Sequence, residues 1–336
     1  MNMKKWLEEL KSSKHKKAMP ILSFPAVSLM GISVRELISS SDLQAKAMKT
    51  VADRVPSLAS VSLMDLSLEA EAFGAEIIVT DDEVPTVSGA VVTTPEEAEA
   101  LAVPDVRDAR CGIYIDAIER ASKLIIDRPV FAGVIGPFSL AGRLMDVSEA
   151  MVNCYVEPEM VHTTLKKVTE FLIKYINEYK NAGANGVVMA EPLAGMLSPQ
   201  LADEFSSRYV KEIADAVKSD DFLFIYHNCG DNTILMIDSI LSTGSDVYHF
   251  GDSIDMSEML AHIPFDTVAM GNVSPSAQFK GGTPESIKED TKKIMSACCD
   301  YPNFVISSGC DIPPSANWDN IDAFFEAVDE FYKDAN

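Results

Sequence analysis

Short apolar runs alternate with longer segments of helical period along most of the chain. Runs at 21–24, 60–64, 76–80, 130–135, 186–190, 222–226, 246–250, 267–270 and 304–307 read as strands. Between them, 157–181, 199–218, 233–242, 284–297 and 320–332 carry apolar residues at helical spacing with turn residues at their ends, and the charged N-terminal stretch is helical in pattern. Regular alternation of strand and helix predicts a parallel sheet. From about Pro129 onward no linker, repeat or low-complexity tract breaks it, so residues 1–336 are expected to form a single domain. The expected fold is α/β, a single (β/α)8 TIM barrel with an N-terminal elaboration and an insertion around 81–110. A doubly wound open sheet competes, but no Gly-rich dinucleotide turn follows the first strands.

The residues that follow the predicted strands are polar or turn-forming: Asp65, Gly136-Pro137, Glu191-Pro192, His227-Asn228-Cys229, Asp252, Gly271-Asn272 and Gly309-Cys310-Asp311. In a barrel the carboxyl ends of the strands converge on one mouth, which makes these distant residues neighbours. His227 and Cys229 stand two apart, so an extended chain points both to one side. Cys310, at the end of another strand, completes a His-Cys-Cys set that suits Zn²⁺ and leaves a fourth position open. The plainer alternative is a turn-capping histidine beside buried cysteines. Glu191 and Asp252 could complete a metal sphere, orient a ligand imidazole or bind substrate; they could equally be solvated turn residues. Asp65, ahead of a helical run at 66–73, reads as an N-cap or as a catalytic acid. His249 could line the mouth.

Composition narrows the partners. With 28 Lys+Arg against 51 Asp+Glu the net charge is −23, which excludes a nucleic-acid surface. No run of 18 apolar residues exists, so no membrane span is expected, and the protein is expected to be soluble and cytoplasmic. Six cysteines are too sparse for a disulfide framework; Cys111, Cys154, Cys298 and Cys299 read as packing residues.

Several stretches together resemble the uroporphyrinogen decarboxylase superfamily: Met64-Asp65-Leu66-Ser67 running to Glu71-Ala72-Phe73-Gly74, Gly136-Pro137-Phe138-Ser139-Leu140-Ala141-Gly142, Ala182-Gly183-Ala184 leading to Glu191, and Met270-Gly271-Asn272-Val273. Two more, His227-Asn228-Cys229-Gly230 and Ser307-Ser308-Gly309-Cys310-Asp311-Ile312-Pro313-Pro314, are similar to the zinc-ligand motifs of its methylcobamide:thiol methyltransferase branch, which includes the methylcobamide:coenzyme M enzymes. The resemblance implies a single barrel with zinc ligands at His227, Cys229 and Cys310. It also implies a methyl-cobalt corrinoid as co-substrate on a carrier protein, and a small-molecule thiol such as coenzyme M as acceptor. The branch's acidic strand-end position falls near Asp252, where Phe250-Gly251-Asp252 departs from the usual pattern. Glu191, Asp252 and Asn272 are the candidates for placing the substrates. The superfamily's decarboxylases carry an arginine-rich N-terminal segment, and here that stretch reads Pro20-Ile21-Leu22-Ser23-Phe24-Pro25-Ala26-Val27. A porphyrinogen rich in carboxylates would lack its cationic clamps, which ranks decarboxylation second. A non-catalytic corrinoid- or metal-binding protein on the same barrel is the remaining alternative.

Overall fold

A computed structural model describes residues 1–334. Its strands are β1 (Ser60–Val61), β2 (Glu76–Ile78), β3 (Thr86–Ser88), β4 (Val130–Ile135), β5 (Gly186–Ala190), β6 (Leu223–Asn228), β7 (Val247–Phe250), β8 (Val268–Val273) and β9 (Phe304–Ser308). Seven of them make one parallel sheet in the order β1-β4-β5-β6-β7-β8-β9. Every residue of those seven strands is buried, because the sheet curls around one apolar cluster and is wrapped by helices outside. Alternation decides which cluster each side chain joins. Leu223 and Ile225 of β6 pack inside with Phe131, Val188, Val247, Met270 and Val305, whereas Phe224 and Tyr226 face the helices. The same parity turns His227 inward at the carboxyl end of β6.

The strand expected at 21–24 does not form. The chain there runs extended between β9 and β1 and bonds to both sides, closing the ring without a regular ladder. Met19 N–H donates to the Ile306 carbonyl at 3.1 Å and Ile21 N–H to Ser308 Oγ at 3.0 Å, while on the other side Leu58 N–H donates to the Ala18 carbonyl at 2.8 Å and the Ser23 hydroxyl to the Val61 carbonyl. Pro20 has no N–H to give and Pro25 ends the run, so the bonds come singly. The run at 76–80 is also displaced: β2 pairs antiparallel with β3 as a hairpin apart from the main sheet, with Glu76 and Ile78 exposed. Two expected helices begin or continue irregularly. The 199–218 segment contains a π turn at Asp203–Ser207, and 233–242 opens as a 3₁₀ turn at Ile234–Met236.

The helix Met3–Ser12 closes the amino end of the barrel. Met3 and Lys4 donate their N–H groups to the Asp220 carbonyl ahead of β6, and the Trp6 ring meets Phe131 edge-on at 6.1 Å. Met3 and Leu10 join the inner apolar cluster, leaving the carboxyl ends of the strands as the open face. Among the described residues no helix is long and apolar enough to cross a membrane.

Candidate metal centre

His227, Cys229 and Cys310 meet at that open face, their ligand atoms all within 4.8 Å of one another. β6 delivers His227, the turn after it Cys229, and the turn after β9 Cys310. Gly251, just past β7, lets the neighbouring loop close on the site: a methyl group there would lie 2.5 Å from both Cα and Cβ of Cys229.

The imidazole is oriented by a chain of hydrogen bonds that ends on a backbone carbonyl. Ser307 Oγ donates to the Met19 carbonyl at 2.7 Å, so it accepts from His249 Nε2 at 2.7 Å. His249 Nδ1 is then the bare nitrogen of a neutral ring, and His227 Nδ1–H donates to it at 2.8 Å. Burial, followed by the neighbouring His227, holds His249 well below the ordinary histidine pKa, in keeping with a neutral acceptor. His227 Nε2 is thereby left as a lone pair. Among the described residues it is buried without a hydrogen-bond partner, and it belongs to the cluster it shares with the two sulfurs. A nitrogen in that state costs free energy unless a cation takes its lone pair, and one neutral imidazole with two thiolates is a donor set that fits Zn²⁺. The thiols share a hydrogen bond. It lowers the pKa of Cys229 below the ordinary thiol value and, with burial, raises that of Cys310 to about 12. A divalent cation would displace both protons.

The other expected site residues take quieter positions. Glu191 is fully buried and caps the helix Pro137–Met145: its carboxylate accepts from Phe138 N at 3.0 Å, Ser139 N at 2.6 Å and Ser206 Oγ at 3.0 Å. Asn272 donates to the carbonyls of Gly251 at 2.9 Å and Ile254 at 2.8 Å, pinning the loop that carries Asp252. Asp252 is exposed and stands outside the three-ligand cluster, yet close enough to Cys229 for its charge to oppose ionisation of that thiol. Asp65 is buried rather than serving as a helix cap. It accepts from Ser67 N at 3.1 Å and Tyr114 Oη at 2.8 Å and forms an ion pair with Arg110, which also bonds Glu71 at 2.6 Å. Cys111, Cys154 and Cys298 are buried and Cys299 is exposed.

The sequence placed His249 at the mouth without showing that it orients His227, and Ser307 passed unremarked. The parity that turns His227 inward also turns His249 inward, its register partner on β7, and a serine pair ending the apolar β9 was the further clue. Replacing His249 with Phe, or Ser307 with Ala, is expected to weaken zinc affinity by roughly 10–100-fold with the circular dichroism spectrum preserved. Competition with a chelating dye measures this; wild-type affinity in both variants would remove the orienting role.

A curled parallel α/β sheet brings one imidazole and two thiols together at its carboxyl face, a set that could hold a metal ion. The uroporphyrinogen decarboxylase (URO-D) family model matches residues 16–331, and the chain belongs to that family. A methylcobamide:CoM methyltransferase, MtbA, of Methanosarcina acetivorans is 28% identical over 260 residues, 75% of each chain. A uroporphyrinogen decarboxylase of Alcanivorax borkumensis is 24% identical over 311 residues, 89% of this chain and 86% of that one. Among solved structures, a methyltransferase from Methanosarcina mazei superposes with a TM-score of 0.86 at 24% identity, covering 98% of both chains, a likeness of fold.

Proposed function

We propose that the protein is a zinc-dependent corrinoid methyltransferase. It moves a methyl group from a methyl-cobalt corrinoid, presented by a small carrier protein, to a thiol such as coenzyme M. The observation that carries this reading is the bare, buried Nε2 of His227 clustered with the Cys229 and Cys310 sulfurs. In the reaction the acceptor sulfur forms a bond to the methyl carbon and loses its proton. The carbon–cobalt bond breaks with its electron pair left on the corrinoid as Co(I). A zinc ion held by His227, Cys229 and Cys310 would favour the thiolate form of the acceptor, and its two anionic ligands would leave that sulfur electron-rich.

The remaining residues position these parts. His249 and Ser307 fix the His227 ring, Asn272 holds the loop bearing Asp252, and Glu191 anchors the helix Pro137–Met145 beside the mouth. The decarboxylase reading is less well supplied. Arg110 is committed to Asp65 and Glu71 and cannot also clamp a polycarboxylate.

The test is incubation of the zinc-loaded protein with methylcobalamin and 2-mercaptoethanesulfonate. Equal amounts of methyl thioether and cob(I)alamin are expected. Decarboxylation of uroporphyrinogen by metal-free protein, with no thiol alkylation, would overturn the reading in favour of the decarboxylase. Tight corrinoid binding without turnover would favour a binding protein.

A further inference from the structure

The helix Pro137–Met145 is buried on every side except at Arg143. Among the described residues this guanidinium has no ion pair and no hydrogen bond, and its Nε is cut off from solvent. Among the described residues it is the one partly buried arginine with neither a charged nor an aromatic partner. Of the eight arginines, Arg208 lies over the Tyr209 ring and six others pair with carboxylates. In a protein with 51 acidic residues, a half-buried arginine with no acid opposite it is an open anion position.

Its place on the helix relates it to the metal centre. Arg143 stands one turn beyond Ser139, on the same side of the helix. That side faces the turn after β5: Ser139 Oγ accepts from Leu193 N at 3.1 Å, and a methyl group at Gly142 would lie 2.5 Å from Leu193 Cδ1. The same turn reaches the metal loop. A methyl group at Gly195 would lie 2.5 Å from Gly230 Cα, the residue after Cys229. One continuous wall of packed residues thus runs from Cys229 through Gly230, Gly195 and Leu193 to the face that carries Arg143. Desolvation alone lowers the pKa of this group, with no anion acting against it.

We propose that Arg143 binds an oxyanion of the substrate, the acidic group of the thiol acceptor, and so selects anionic thiols over neutral ones. The inference rests on the methyl-transfer reading for its ligand. A small anion entering a protein of net charge −23 needs a local cation, and Arg110 is already neutralised. A guanidinium meets a sulfonate or carboxylate through two parallel N–H···O bonds, so lysine restores the charge without the fork.

The test uses the zinc-loaded full chain with Arg143→Gln and Arg143→Lys. The KM for 2-mercaptoethanesulfonate is expected to rise by roughly 10–100-fold in Arg143→Gln, with Arg143→Lys between. The kcat/KM for 2-mercaptoethanol should change little in either variant. Calorimetric titration with ethanesulfonate, which has no thiol, reads the anion site without turnover: saturable binding is expected in the wild type and lost in Arg143→Gln. That arm holds even if methyl transfer is absent, so failure of the catalytic reading is distinguishable from failure of the anion site. Equal losses with both thiols would overturn the proposal as a structural effect, and ethanesulfonate binding unaffected by Arg143→Gln would overturn it outright. A penalty seen with methylcobalamin but not with methylcobinamide, which lacks the phosphate, would assign Arg143 to the corrinoid and overturn it as well.

Discussion

Serine in place of Cys310 is expected to release the metal and to slow methyl transfer by roughly 10³-fold, the loss of about 4 kcal/mol of stabilisation from the metal. A serine hydroxyl stays protonated at neutral pH and is a poor partner for zinc, so two ligands remain where three stood. Cys310 is partly exposed at the end of β9 and makes no apolar core contact that the fold needs, so the variant should fold normally. Cys229→Ser should behave alike. Cys299→Ser, at an exposed helix end, should leave activity unchanged. The check is steady-state alkylation of the thiol beside thermal unfolding of each variant. Full alkylation activity in Cys310→Ser with an intact fold would remove Cys310 from the catalytic metal site.

The second large effect concerns stability. Glu69 is 1% exposed and accepts the Ile135 N–H at 3.1 Å through Oε1; among the described residues its buried Oε2 has no hydrogen-bond partner. It is there because β1 is only two residues long. Past Val61 the neighbouring β4 has donors with no strand opposite, and side chains answer them: Ser62 Oγ takes Gly133 N–H at 2.9 Å and Glu69 takes Ile135 N–H. Burial, with a smaller push from the Asp65 charge, raises the Glu69 pKa to about 8 against the hydrogen bond from Ile135. The folded protein therefore keeps a proton that the unfolded chain releases near 4.5. Its contribution is complete below that pH and declines by about 1.4 kcal/mol per unit until the folded pKa is passed, roughly 5 kcal/mol in all. Glu69→Gln keeps the acceptor oxygen and cannot ionise. Chemical denaturation should show wild type and variant close at pH 5, with the variant ahead by several kcal/mol at pH 8. Parallel stability curves across that range would mean that the carboxyl is not held neutral.

Both effects bear on how far the sequence alone could be taken. The inner and outer faces of the parallel strands were legible because a buried strand shows its parity and its end in the residues themselves: Leu223, Ile225 and His227 step inward and the turn begins at Cys229. The convergence of His227 and Cys229 with Cys310 was legible once the alternation indicated a barrel, and the two motifs marked the same residues. What escaped depended on partners far off in the chain. Nothing local to Ile21 tells that the segment will bridge β1 and β9 without a ladder; Pro20 and Pro25 were the only signs. The charged turn after Ile78 gives no hint that β2 will fold back on β3. Glu191 and Asn272 carry polar side chains at strand ends as expected, but the helix N-terminus one caps and the loop the other pins lie on other elements. Arg143 resembled any basic residue in a last helical turn until packing buried everything around it.

The zinc content of the protein, purified without chelators and measured by elemental analysis beside Cys229→Ser, tests the central claim most directly. About one zinc per chain, absent from the variant, is the predicted result. Folded wild-type protein that contains no zinc, and takes up none when it is added, would contradict the account.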